Sequence, residues 1–201
     1  MLQQTQVDRV IPKYEAFIQQ FPTAEKLARA QLSDVLKLWQ GLGYNRRAKY
    51  LREAAQLWGT TALEDLPGVG PYTANAIRVF AYNEPRTLIE TNVRAVYLHH
   101  LFPKQRSVPD ARIVPFIRVP RGVEPREWYA ALMDYGSHLK KTVPNPSRRS
   151  RHHLRQKPFK GSDREIRGAI LRAALNGSRV TGFTKERVRA LTQALKAEGL
   201  L

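Results

Sequence analysis

The chain contains no cysteine in its 201 residues. That excludes disulfides, thiolate metal sites and cysteine-ligated iron–sulfur clusters, and it fits a reducing compartment. Acidic residues are scarce: 17 Asp+Glu stand against 34 Lys+Arg, for a net charge of +17. Long apolar runs are missing too, since none approaches the roughly 18 residues that span a bilayer. The opening Met1-Leu2-Gln3-Gln4-Thr5-Gln6 lacks the basic and apolar regions of a signal peptide. These absences lead to the expectation of a cytoplasmic chain with no membrane partner.

What the chain does have is a 42% share of hydrophobic residues, enough to bury a core. A globular chain this basic points to a polyanion as partner, nucleic acid above all. A solubility charge, or a ribosome-like or membrane-surface role, is the weaker alternative at this stage.

The hydrophobic period is helical throughout. Between Thr5 and Phe21, Val7, Val10, Ile11, Tyr14, Phe17 and Ile18 recur at steps of mostly three and four. Pro12 is expected to split this stretch into two helices or to sit in a first turn. Thr23 and Ser33 are expected helix caps, and Gly41 and Gly43 end the helix that holds Trp39. Helices are expected over 46–58, from Pro71 to before Pro85, over 91–102 and 125–139. Residues 140–161 carry no apolar period and are rich in Pro, Ser, Arg and His, so they read as an irregular basic connector. Ser162-Asp163-Arg164-Glu165 fits a capping box. Thr184 caps a last helix, and the closing residues resemble a winged-helix ending.

Leu66-Pro67-Gly68-Val69-Gly70-Pro71-Tyr72-Thr73-Ala74 is the most informative stretch. Two glycines let the backbone turn sharply without a Cβ in the way. The N–H groups of the turn, backed by the helix that starts at Pro71, suit a phosphate. A helix–turn–helix corner without function would need no such pattern.

This segment resembles the helix-hairpin-helix of the endonuclease III and adenine-DNA glycosylase superfamily. Other segments match in the same order: Met1 to Val7, the glycine-tyrosine loop Trp39 to Ala48, Glu90-Thr91-Asn92-Val93-Arg94, and Met133-Asp134-Tyr135-Gly136. The resemblance covers roughly residues 1–140. It implies an all-α fold of two helical lobes with a cleft between them, faced by the hairpin and Glu90, and a small helical C-terminal appendage. The expected division is 1–140 as glycosylase core, 141–161 as connector and 162–201 as C-terminal helical segment.

The resemblance also implies roles. Glu90 stands where the family has a catalytic aspartate, and a carboxylate there stabilises positive charge on the sugar during glycosidic cleavage. Without the resemblance, Glu90 is a helix N-terminal acid that complements the dipole. Tyr72 replaces the lysine of bifunctional relatives and cannot form a Schiff base, which implies a monofunctional enzyme. Tyr72 and Asn92 are assigned to the base pocket and to orientation. Tyr44 would fill the gap left by a flipped base, and Gln3 and Gln4 would probe the opposite base. The DNA-binding set is completed by Arg46, Pro67, Gly68, Val69, Gly70, Thr73, Arg148, Arg149 and Arg151. Hairpin carbonyls in this superfamily can hold a monovalent cation. No other cofactor and no protein metal ligands are expected, because neither His99-His100 nor His152-His153 is completed by a cysteine.

Two departures stand out. The family's general-acid glutamate falls two residues before Met1, so either the true start lies upstream or the chain is catalytically crippled. The four cluster cysteines fall on Lys140, Ser147, Ser150 and Gln156, none of which ligates iron. A basic loop is expected to take over their phosphate contacts, or else a solvated linker remains. The expected function is a monomeric, monofunctional glycosylase acting on double-stranded DNA, nucleoid-associated in a bacterium. It would remove adenine mispaired with guanine or 8-oxoguanine. Alternatives are a thymine or uracil mismatch glycosylase and a non-catalytic DNA-binding module.

Overall fold

A computed structural model describes residues 1–154 and 158–201. Arg155, Gln156 and Lys157, part of the expected connector and, at Gln156, the last cluster position, lie outside the described residues. Among the described residues the chain forms α1 (Val7–Gln20), α2 (Ala24–Arg29), α3 (Leu32–Trp39), α4 (Arg46–Gln56), α5 (Pro71–Phe80), α6 (Thr91–His100), α7 (Asp110–Ile113), α8 (Pro125–Thr142), α9 (Asp163–Asn176) and α10 (Lys185–Ala197). They include no strand, only an isolated parallel bridge between Val108 and Ser150. The all-α expectation therefore holds. No described helix is long and apolar enough to cross a membrane.

Two compact units divide the chain. One comprises Met1–Gly68 and Lys157–Leu201, the other Val69–Gln156. In the first, Val10, Phe17, Leu27, Val35, Leu36 and Trp39 form one core with Ile166, Ile170, Leu171 and Leu195. The C-terminal helices α9 and α10 thus belong to the same core as α1 to α4, and the compact units cut the chain differently from the sequence-based boundaries. No strand closes a wing after α10.

Several local expectations need correction. Pro12 lies inside an unbroken α1, neither splitting it nor sitting in its first turn. The bond it forfeits would run to the Asp8 carbonyl; both residues are exposed, which leaves that carbonyl open to solvent. Burial of Val10 and Phe17 on either side of Pro12 carries the helix through. Ser33 is not a cap: α3 starts at Leu32, with Gln31 at the N-cap. Leu32 packs against the core, which draws the helix start upstream. Thr23 does cap α2, its side chain accepting from the Lys26 N–H. Ser162 takes the N-cap position of α9, but its hydroxyl donates to the Phe159 carbonyl at 2.6 Å, and Glu165 accepts from the Gly161 N–H at 2.6 Å.

In the second unit α6 is the central helix, with Val93, Ala95, Val96 and Leu98 buried. It packs on α8 at Gly136, where a Cβ would lie 2.2 Å from the Asn92 carbonyl oxygen. Only glycine permits that approach. The stretch after α8 is no solvated linker: Pro146, Ser147 and Ser150 are buried. It makes a 3-10 turn, Pro146–Arg149, that rests on the same unit.

Gly136→Ala therefore pushes backbone against backbone. We expect a loss of stability of about 3 kcal/mol, at the upper end of overpacking costs, read from urea unfolding. A midpoint equal to that of the parent would show that α6 and α8 separate freely.

Candidate functional site

Glu90 is the N-cap of α6. Its Oε1 accepts from the Asn92 N–H at 2.6 Å and the Val93 N–H at 2.8 Å. These are two of the four N–H groups that a helix start leaves without an intrahelical partner. Both bonds fall on one oxygen, so the second carries none of the cap. The extra methylene relative to aspartate does not throw the carboxylate outward, because the side chain folds back onto its own helix.

The approach to this cap is fixed from outside. The Leu88 N–H donates to the Tyr129 hydroxyl at 3.0 Å, and Asn75 Nδ2 donates to the Thr87 carbonyl at 3.3 Å. Leu88 and Tyr129 are buried. Arg94 forks onto Asp110, at 2.7 and 2.8 Å, a bidentate pair that sets the far side of the first turn. Tyr72, in the first turn of α5, is brought near Glu90. Burial raises its phenol pKa above the ordinary value, and the Glu90 charge adds to the rise. Asn92 is half-buried, and its Oδ1 is buried without a protein partner. A buried acceptor in that condition is costly unless another group donates to it. The structure thus joins Glu90 to Asn92 by a hydrogen bond, and Tyr72 lies within range of the Glu90 charge.

Gln3, Gln4, Tyr44 and Arg46 lie in the other unit. Gln4 and Tyr44 have positive φ, 55° and 47°, unusual for residues with a Cβ. Tyr44 is 47% exposed. Both are organised by Arg47, which sequence reasoning passed over. Its Nη1 donates to the Met1 and Gln3 carbonyls at 2.8 and 2.7 Å. Its Nη2 donates to Thr5 Oγ1 and to the Leu42 and Gly43 carbonyls, each at 3.0 Å. The guanidinium also sits 5.3 Å from the Trp39 ring centroid and 5.7 Å from that of Tyr44. Desolvation lowers its pKa, against the influence of Tyr44. Arg46, by contrast, is held by Glu198, with Nε 3.0 Å from Oε2. The same carboxylate receives Arg167 at 2.5 Å. Two adjacent arginines look alike in sequence; nothing there marks which one turns inward.

Along the hairpin turn, Gly68 has φ +75°, and a Cβ on it would meet the Cβ of Tyr50 at 2.9 Å. Gly68 and Gly70 are exposed, Pro67 and Val69 half-buried. Pro71 takes the first turn of α5, with Gly70 at its N-cap, and Thr73 is half-buried in that turn. Arg148 and Arg151 are exposed. Arg149 differs: its Nη2 donates to the Leu98 carbonyl at 2.8 Å, so part of its fork is committed inside the protein.

The cluster positions do not suit an iron–sulfur cluster. Ser147 and Ser150 have no thiolate, and their hydroxyl oxygens are engaged with the Thr91 carbonyl and the His152 N–H. Among the described residues no group of three or more His, Cys, Asp or Glu is placed to hold a metal ion.

Because Arg47 serves five acceptors, Arg47→Lys keeps the charge but loses the fork. We expect a cost of about 2 kcal/mol from lost charge-assisted bonds, together with faster amide exchange over Leu42–Tyr44. Unchanged exchange there would mean that the loop holds its shape without the guanidinium.

Comparison with known proteins bears on this geometry. The family described as HhH-GPD superfamily base excision DNA repair protein matches residues 1–118. The adenine DNA glycosylase of Mycolicibacterium smegmatis is 38% identical over 150 residues, covering 68% of this chain and 51% of that protein. That of Mycobacterium tuberculosis H37Rv is 34% identical over 151 residues, covering 68% and 50%. The human adenine DNA glycosylase is 42% identical over 107 residues, covering 48% and 20%. The chain thus spans about half the length of these two mycobacterial relatives and 20% of the human one. A solved structure of a thermostable thymine-DNA glycosylase shares the fold, with a TM-score of 0.56 at 23% identity over 68% of this chain and 69% of that one. With more than half of its residues matched, carrying the hairpin turn and the Glu90 cap, the chain belongs to the HhH-GPD superfamily of base excision DNA repair proteins.

Proposed function

We propose that the chain is a monofunctional DNA N-glycosylase that removes adenine mispaired with guanine or 8-oxoguanine from double-stranded DNA. The observation that carries this reading is the Glu90 carboxylate fixed by the Asn92 and Val93 N–H groups. As the bond from the sugar to the base breaks, positive charge grows on the sugar. A carboxylate already held by two N–H groups stabilises that charge without reorganising. Water then adds its hydroxyl to the sugar carbon, and the departing base gains a proton. Tyr72 offers no amine to attack the sugar, so the reaction ends at an abasic site.

Base chemistry in a duplex requires extrusion of the target nucleotide. The exposed Tyr44 ring supplies a plug for the gap, and Gln3 and Gln4 supply amides for the opposite base. The buried, unpartnered Asn92 oxygen suits an orienting acceptor. N–H groups of the turn over Pro67 to Gly70 and the start of α5 suit a backbone phosphate. Exposed Arg148 and Arg151 add to that electrostatic footprint. Arg46 and Arg149 contribute less, since each has an internal partner. The names of the relatives support adenine as the substrate.

The decisive test is single-turnover base release from duplexes carrying A opposite 8-oxoguanine, A opposite G, T opposite G or U opposite G, with alkali to reveal abasic sites. Adenine release is expected, abolished by Glu90→Gln while stability is nearly kept, because the amide oxygen of Gln still accepts at the cap. Release of thymine or uracil instead would replace the substrate. Tight DNA binding with no release from any duplex would leave a binding module.

Salt dependence of duplex binding separates the arginines. The double variant Arg148→Ala, Arg151→Ala should flatten the slope of log K against log salt by about 0.9 per charge removed. An unchanged slope would remove this turn from the DNA interface.

A further inference from the structure

Among the described residues, Ser147 and Ser150 are buried, 2% and 7% exposed. Both stand where cluster cysteines fall by resemblance, yet their partners differ. The Ser150 hydroxyl accepts from the nearby His152 N–H at 3.0 Å. The Ser147 hydroxyl donates to the Thr91 carbonyl at 3.0 Å, across 56 positions of sequence. Thr91 opens α6 and follows Glu90 directly.

The turn that carries Ser147 is firmly built. Asn145 Oδ1 accepts from the Ser147 N–H at 3.0 Å. Val108 donates its N–H to the Arg149 carbonyl and accepts from the Arg151 N–H, both at 2.9 Å. Arg149 reaches the Leu98 carbonyl at 2.8 Å. The turn therefore holds α6 both at its first residue and near its last turn.

The Thr91 carbonyl and the Asn92 N–H belong to one peptide group. Ser147 binds its oxygen, and its N–H donates to Glu90 Oε1 at 2.6 Å. A peptide group is planar, so fixing the direction of the carbonyl fixes that of the N–H. A hydrogen bond accepted by the oxygen also polarises the N–H toward its own acceptor. We propose that Ser147 is a positioning residue for Glu90: a metal-free latch that acts on the carboxylate through the Thr91–Asn92 peptide. The catalytic half of this inference rests on the reading of Glu90 given above.

The test is residue-resolved amide exchange on the full chain, beside single-turnover adenine release and duplex affinity. Ser147→Ala is expected to speed exchange at Asn92 and Val93 about tenfold, the worth of one buried hydrogen bond. The Asn92 amide proton should shift upfield, and base release should slow with duplex affinity kept. Ser147→Cys keeps the size with a weaker donor and should fall between, and it serves if the alanine variant does not fold. Ser150→Ala should leave Asn92 and Val93 as they are. Unchanged exchange at Asn92 in Ser147→Ala, or an equal rise in Ser150→Ala, overturns the latch. Parent protein that releases no base overturns the glycosylase reading, while the exchange data still decide the latch.

Discussion

The first turn of α6 is the constraint on which the second unit is built. A helix start exposes N–H groups that need partners, and here Glu90 supplies an oxygen to two of them. That demand alone would leave the carboxylate free to shift with its loop. Four further contacts remove the freedom: Asn75 on the Thr87 carbonyl, Tyr129 on the Leu88 N–H, Ser147 on the Thr91 carbonyl, and Gly136 against the Asn92 carbonyl. They come from α5, α8 and the 3-10 turn, so most of the elements of the unit converge on seven consecutive residues, Thr87 to Val93. Such convergence is what preorganised electrostatics requires, because a carboxylate that must move to meet developing charge pays for the movement.

The first unit solves a different problem with one cation. Gln4 and Tyr44 adopt left-handed backbone conformations, which cost of order 1 kcal/mol or more each. Arg47 binds the carbonyls of Met1, Gln3, Leu42 and Gly43 from the inside. Two loops far apart in sequence thereby share a single anchor, and the strained residues face outward. These loops carry Gln3, Gln4 and Tyr44, so the anchor sets the shape of the backbone that presents them. The large positive charge is likewise not all directed outward. Arg46 and Arg167 meet on Glu198, and Lys49 donates to the Glu198 carbonyl at 2.6 Å. These contacts tie the end of α10 to α4, so part of the basic composition is structural.

Much of this was legible in the sequence because helices and tight turns write themselves in local chemistry. The period of three and four located the helices, Thr23 and Glu90 marked starts, and Pro71 fell in the first turn of α5. Errors arose where tertiary packing outweighed a local preference. Leu32 drew α3 past Ser33, and burial on both sides carried α1 through Pro12. The packing of the stretch after α8, which excludes the solvated-linker alternative, is not legible in composition for a deeper reason. The stretch is held by hydrogen bonds that Ser147 and Arg149 donate and that Asn145 Oδ1 accepts, and such bonds leave no hydrophobic period. Composition alone could not separate Arg149 from Arg148, nor Arg47 from Arg46, since direction is decided by acceptors distant in the chain.

The two serines show how hydroxyls can hold a buried turn without metal. A cluster loop bound by thiolates gets its rigidity from metal bonds. Hydroxyls at the same positions cannot bind iron in that way, but they are small enough to remain buried and polar enough to need partners. Each has one in the backbone: a helix carbonyl for Ser147 and a local N–H for Ser150. Satisfying those hydroxyls and closing the turn against Val108 are therefore the same event. The basic side chains between them divide by position, Arg149 committed to α6 and Arg148 turned to solvent. A short segment can in this way hold the helix that bears Glu90 and still present charge at the surface, with neither role borrowing residues from the other.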